Sequence, residues 1–105
     1  MTVLIDDKKV NVIVAKSFFK RFIGLMFKRK KVDYGLYFPK CASVHTFFMF
    51  QNIDIIMTDQ NDIITEIYKD VTPNRVILGV GYGTYEFASG TVNNLKIGDL
   101  LKKEA

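Results

Sequence analysis

The sequence contains a single cysteine, Cys41, among 105 residues. One thiol cannot form an internal disulfide framework, and this scarcity is typical of proteins from a reducing compartment. No apolar run approaches the roughly 20 residues that a membrane-spanning helix needs. The opening residues, Met1–Asp7, lack the basic start of a signal peptide and turn acidic early. These absences predict a soluble cytoplasmic protein without a transmembrane segment.

The sequence also lacks recognisable motifs for metal or nucleotide binding. Cys41 and His45 are the only thiol and imidazole, which leaves a zinc site two ligands short. In an extended strand, residues four apart lie roughly 13 Å from one another, beyond the reach of a nucleophile and its base. Gly79–Gly83 has neither the Lys-Ser/Thr of a phosphate-binding loop nor the spacing of a dinucleotide fingerprint. We therefore predict no cofactor and no bound metal.

The residues that are abundant indicate a β-rich core. Apolar residues make up 49% of the chain, and runs rich in β-branched and aromatic residues alternate with turn residues. We predict a mostly β fold, a single domain over residues 1–105 with a compact barrel-like or sandwich-like architecture. A short amphipathic helix is predicted from about Ser17 to Ile23, one helical turn ends at Leu95, and Lys102–Ala105 is a fraying tail. The predicted strands are Val3–Ile5, Val10–Ala15, Tyr34–Phe38, Val44–Phe50, Ile53–Met57, Ile63–Tyr68, Val76–Leu78 and Tyr85–Ala88.

Charge is distributed unevenly along the chain. The segment from Lys8 to Lys31 holds nine basic residues and no acid, whereas the remainder holds six basic and eleven acidic residues. Such a segment can steer a protein toward nucleic acid or an acidic protein. The alternative is a solvated face that only aids solubility, because the segment lacks the interleaved planar and amide side chains that read bases.

The densest apolar run, Val44–Phe50, contains the only histidine, His45, and is followed by Ile53–Met57. Both faces of the first stretch are mainly apolar, which predicts a strand in the middle of a sandwich or barrel. Asp54 lies between two isoleucines, where an unpaired charge would cost several kcal/mol. We therefore expect folding to bring Asp54 and His45 together.

This polar cluster has one structural and two functional interpretations. It fixes strand register, or it lines a cleft for a small molecule or peptide, or His45 acts as a general base that Asp54 orients. A non-enzymatic binding module is the first of our functional hypotheses. The candidate ligand-binding residues are Arg21, His45, Thr46, Asp54 and Glu86.

Taken in order, several segments resemble the bacterial and archaeal domain-of-unknown-function family 192. The segments that carry the resemblance are Phe22–Met26, Gly35–Phe38, Cys41–Met49, Ile53–Met57, Tyr85–Thr91 and Ile97–Asp99. The resemblance implies a compact, mostly β, barrel-like domain with a short helix near its start, and it implies no activity. The polar members of the matching motifs are Arg21, His45, Thr46, Asp54, Glu86 and Asp99. The chain departs from the family pattern at Phe50–Asn52, where a basic residue and a proline are usual, which puts in doubt a ligand contact through a positive charge there.

Overall fold

The computed structural model describes residues 1–17 and 30–104, and the regular structure within these ranges is β-strand. The strands are β1 Thr2–Ile5, β2 Lys8–Val14, β3 Tyr34–Phe38, β4 Ser43–His45, β5 Ile53–Thr58, β6 Ile64–Val71, β7 Val76–Leu78, β8 Gly83–Ala88 and β9 Lys103–Glu104.

Seven of these strands form one sheet in the order β6-β5-β8-β3-β2-β1-β9, and β4 pairs with β7 in a second, two-stranded sheet. All described pairings are antiparallel except that of β2 with β3. The two ends of the large sheet meet, because Ile64 N–H donates to Asp99 C=O and Leu101 N–H donates to Asp62 C=O. The large sheet is therefore curled into a half-barrel whose ends are linked by the segment that leads into β9.

The large sheet has a core on each face, which explains why every residue of β5 and β8 is buried. Its inner face carries Tyr85 and Phe87 among residues contributed by β1, β2, β5 and β6. Gly35 lies on this face, where an added Cβ would come within 2.4 Å of the Phe87 ring. The outer face is covered by the small sheet, from which Val44 and Ile77 pack against the second core. The β4–β7 sheet is thus a cover on the barrel.

The mostly β class and most strand positions are confirmed by the structure. The loop predicted at Asp6–Lys9 is shorter in the structure: the turn is Asp6-Asp7, where both residues have positive φ, and Lys8 and Lys9 belong to β2. The strands predicted at Ile53–Met57 and Ile63–Tyr68 correspond to β5 and β6, which form an antiparallel hairpin around the turn at Asp59–Asp62. The predicted helix lies, apart from Ser17, outside the described residues.

The central strand predicted at Val44–Phe50 is wrong. Strand β4 ends at His45, and Phe48 has a left-handed φ of 61°, which breaks the alternation of the two faces. Both Phe48 and Phe50 are exposed as a result. The central positions of the sheet belong to β5 and β8.

Two predictions near the C-terminus are also wrong. No helical turn forms before Leu95, because the N–H groups of Asn93 and Asn94 donate to the Asp6 carboxylate at 2.6 and 2.9 Å. The predicted fraying tail contains β9, whose Lys103 pairs with Val3 of β1.

Candidate functional site

Asp54 is a buried residue on the inner face of the large sheet, where its carboxylate holds neighbouring backbone segments in place. Its carboxylate accepts hydrogen bonds from the N–H groups of Asp70 at 2.8 Å, Gly90 at 3.1 Å and Val92 at 2.9 Å. The bond to Asp70 spans the irregularity at which β6 shifts register against β5. Three backbone donors compensate the buried charge, so Asp54 holds a bulge and a loop in place.

Glu86 lies on the opposite face of the same sheet. In register, Asp54 faces Phe87 of the inner core, whereas Glu86 faces Ile55 of the outer core. Glu86 is 2% exposed, and within the described part of the chain its Oε1 has no hydrogen-bond partner. Burial raises the pKa of this carboxyl to about 8. Glu86 is therefore predominantly protonated at neutral pH.

His45 lies in the small sheet, apart from both acids. Its Nδ1 accepts a hydrogen bond from Phe47 N–H at 3.2 Å, and the two rings stack with centroids 5.5 Å apart. Both Asp54 oxygens are engaged by backbone N–H groups, so the expected pairing of His45 with Asp54 does not form. Asp54 therefore does not orient His45 as a general base.

Thr46 is buried and anchors the loop that leads into β7. Its hydroxyl donates to Thr72 C=O at 2.8 Å and accepts from Arg75 N–H at 2.8 Å. Its N–H donates to Arg75 C=O, and its C=O accepts from Asn74 N–H. Thr46 therefore acts as a positioning residue for β7.

Of the five sequence-predicted site residues, the four in the described part of the chain do not form one cluster. Arg21 lies outside the described residues. Asp54 and Glu86 are sealed on opposite faces of one sheet, and the described clefts are lined by neither of them nor by His45.

The outward face of the β4–β7 sheet carries the most exposed apolar side chains of a described strand. Val76 and Leu78 of β7 are 58% and 78% exposed, and Val80 just beyond the strand is 86% exposed. Val76 is directly paired with His45, so the stacked His45 and Phe47 rings continue this surface across β4. These five residues form what we term the β7 surface.

The main chain of β7 offers a free edge beside that surface. Gly79 N–H donates to Ala42 C=O at 2.7 Å, and Thr46 N–H donates to Arg75 C=O at 2.8 Å. Bonded and non-bonded pairs alternate along an antiparallel ladder, so the bonded pair between them is Val44 with Ile77. The main-chain groups of Val76 and Leu78 hence point away from β4, and within residues 1–17 and 30–104 no other strand pairs with β7.

The β7 surface was missed by reasoning from sequence. Val76–Leu78 was predicted as a strand, but a three-residue apolar run does not reveal which side chains face water. The available signal was the flanking sequence, because Pro73, Asn74 and the glycines from Gly79 onward isolate β7 from longer strands.

A family comparison identifies the kind of domain that carries this surface. Residues 1–102 match the model of domain-of-unknown-function family 192, which is described as an uncharacterized ACR. The chain belongs to this family. The expected resemblance is thereby confirmed, and so is the mostly β fold that it implied.

Two archaeal proteins named UPF0127 resemble this family 192 chain in sequence. The protein of Thermococcus sibiricus is 38% identical over 98 residues, which are 84% of this chain and 62% of that protein. The protein of Pyrococcus horikoshii is 38% identical over 99 residues, which are 87% of this chain and 85% of that protein. The chain thus spans somewhat less than two thirds of the Thermococcus protein.

Two crystal structures share the fold of this family 192 chain. One, from Sinorhizobium meliloti, is a protein provisionally named a transcription regulator, with a TM-score of 0.80 at 20% identity over 96% of this chain and 89% of its own. The other, a protein of unknown function from Novosphingobium aromaticivorans, has a TM-score of 0.78 at 19% identity over 97% of this chain and 82% of its own. At these identities the likeness establishes the fold alone.

The described residues contain no helix long and apolar enough to cross a membrane. They also contain no group of three His, Cys, Asp or Glu side chains arranged to hold a metal ion. The chemistry available at the β7 surface is accordingly that of apolar contact, main-chain hydrogen bonding and one imidazole.

Proposed function

We propose that this protein is a non-enzymatic binding module that captures an extended segment of another protein along β7. The observation that carries the proposal is the coincidence, in one strand, of outward apolar side chains and outward main-chain groups. An extended peptide that adds a strand to a sheet edge satisfies both features at once.

The exposure of β7 is unusual for a strand with one unpaired edge. Proteins protect sheet edges with charges, prolines or bulges, because an open apolar edge pairs with other chains. The strand Val76–Leu78 carries none of these within its three residues. An apolar surface bordered by polar residues is a common mark of a protein-binding site.

The geometry specifies the chemistry of the partner segment. Its main chain must be extended in order to pair with Val76 and Leu78, and its alternate side chains must be apolar in order to cover them. Arg75 is exposed immediately before β7, so an acidic residue at that end of the segment would gain a complementary charge. The proposed partner is therefore an extended apolar segment with one acidic end.

A second copy of this chain is a poorer occupant of the same edge. Pairing of two three-residue strands buries far less than the roughly 1,200 Å² at the low end of stable interfaces. A segment of another protein can run past β7 onto Val80 at one end and the His45–Phe47 stack at the other. That longer contact favours a heterologous partner.

Selection of random extended peptides on the immobilised protein provides the probe, and the best peptide is then synthesised. We expect Leu78→Lys to weaken its binding at least about tenfold, because one buried apolar contact is replaced by a charge. The matched control is Ile97→Lys, which changes an equally apolar and 67% exposed residue in the turn before β9. This control should bind the peptide as the wild-type protein does.

A peptide analogue tests the main-chain part of the proposal. N-methylation at the two positions that face Val76 and Leu78 should abolish binding, whereas methylation of the intervening positions should be tolerated. If Leu78→Lys leaves the selected peptides bound, or if both sets of methylated analogues bind equally, the β7 edge is not the binding site. Sedimentation of the protein alone would detect self-pairing of β7.

A further inference from the structure

A second candidate site lies at the mouth of the barrel, apart from the β7 surface. A cleft of about 300 Å³ opens there, with Ile5, Val10 and Val32 among its apolar walls and Lys8 and Lys31 at its sides. Ile5 and Val10 belong to or pack on the barrel interior. Ligand sites often occur in the mouths of β-barrels, and this volume is at the lower end of their usual range.

The two lysines are the first and last basic residues of the acid-free segment, and folding brings them to one cleft. Lys31 Nζ donates to Ser89 C=O at 3.1 Å, which fixes one ammonium group beside the opening. Lys8 is paired with Ile5 across the first hairpin, so its side chain starts from the same face as the apolar wall. In the described part of the chain neither lysine forms an ion pair, unlike Lys9 with Glu104 and Lys103 with Asp62.

Two carboxylates lie close to the cleft, and both are engaged within the protein. Asp54 accepts the N–H groups of Gly90 and Val92 and so holds the loop that forms one wall. Asp70 accepts hydrogen bonds from Ser89 Oγ at 2.6 Å and Asn52 Nδ2 at 3.0 Å. Hydrogen bonds from Ser89 and Asn52, and then the charge of Lys31, hold the pKa of the Asp70 carboxyl below its usual range, so an incoming anion would compete with Asp70 for Lys31.

We infer that this cleft binds a small organic anion, a carboxylate or phosphate attached to an apolar body. The apolar walls would take the body, and Lys8 and Lys31 would take the head group. A nucleic acid fits less well, because its charges follow one another along a backbone, whereas this cleft offers two charges above an apolar floor.

The test uses hexanoate and hexyl phosphate as probes and follows the backbone amide signals of the protein by NMR. We expect saturable shifts at Ile5, Lys8 and Ser89–Thr91, and the tighter of the two probes identifies the head group. Hexan-1-ol and inorganic phosphate, which each retain only half of the ligand chemistry, should bind at least about tenfold more weakly. The double variant Lys8→Gln/Lys31→Gln should lose at least about tenfold in affinity, whereas Lys9→Gln should retain it.

Three results would overturn the inference. The first is equal binding of hexanoate and hexyl phosphate by the double variant and the wild-type protein. The second is binding of hexan-1-ol or inorganic phosphate as tight as that of the combined probes. The third is that a short oligonucleotide shifts the same amide signals and binds more tightly than either probe. That result would assign the lysines to nucleic-acid binding.

Discussion

At the scale of single residues, Glu86 gives the clearest link between burial and pH. Its ordinary pKa is 4.5, and burial raises it to about 8 in the folded protein. Between these values the unfolded chain releases the proton while the native protein keeps it, so stability falls as pH rises through that window. We expect the free energy of unfolding of the wild-type protein to fall by a few kcal/mol between pH 5 and pH 8, relative to Glu86→Gln.

Urea unfolding of both proteins at several pH values measures this difference. Glu104→Gln, which changes an exposed acid, is the control and should follow the wild-type pH profile. Parallel profiles of wild type and Glu86→Gln would show that Glu86 titrates normally.

Asp54 is the second residue whose role is open to direct measurement. Replacing it with alanine leaves the N–H groups of Asp70, Gly90 and Val92 without their acceptor. Buried donors without acceptors are costly, so we expect Asp54→Ala to lower the free energy of unfolding by about 3 kcal/mol or more. Amide exchange at Gly90 and Val92 should accelerate in the variant. A decrease in the free energy of unfolding below about 1 kcal/mol would contradict the proposed structural role of Asp54.

At the scale of elements, the β1–β2 hairpin allows two adjacent aspartates to be compared. Asp6 and Asp7 both have left-handed φ, at 50° and 66°, which glycine adopts at little cost. We expect Asp7→Gly to stabilise the protein by up to about 1 kcal/mol. Asp6→Gly should instead destabilise it, because the Asp6 carboxylate accepts the N–H groups of Asn93 and Asn94. Urea unfolding measures the free energy of unfolding of the two variants. A change of the same sign in both would contradict the different roles of Asp6 and Asp7.

At the scale of elements, some turns could be predicted from the sequence, whereas the end of β4 and the order of the strands could not. Local turn residues located the hairpin at Asp6-Asp7 and the turn at Asp59–Asp62, because turn chemistry is encoded within a few positions. The ending of β4 at His45 was not predictable, since Thr46 bonds to a loop that follows more than 25 residues later. The separation of Asp54 from Glu86 depends on strand order, which one sequence does not reveal.

At the scale of the whole molecule, the C-terminal segment joins the two ends of the large sheet. Leu101 is 1% exposed in the inner core, while the neighbouring Leu100 is 51% exposed. We expect Leu101→Ala to cost about 2–5 kcal/mol of unfolding free energy, as for other buried leucines, and Leu100→Ala to cost about 0.5 kcal/mol or less. Thermal and urea unfolding measure both variants, and a loss below about 1 kcal/mol for Leu101→Ala would contradict a dependence of the fold on this closure.

The barrel also determines how β7 is presented, because Val44 and Ile77 fix the small sheet on the outer core and leave its far face in water. Amide hydrogen exchange of the protein, free and saturated with the selected peptide, measures the use of that edge most directly. The proposal predicts that the peptide slows exchange at Val76 and Leu78 by at least about tenfold and leaves Ile77, already bonded to β4, unchanged. Unchanged exchange at Val76 and Leu78 in the saturated complex would contradict it.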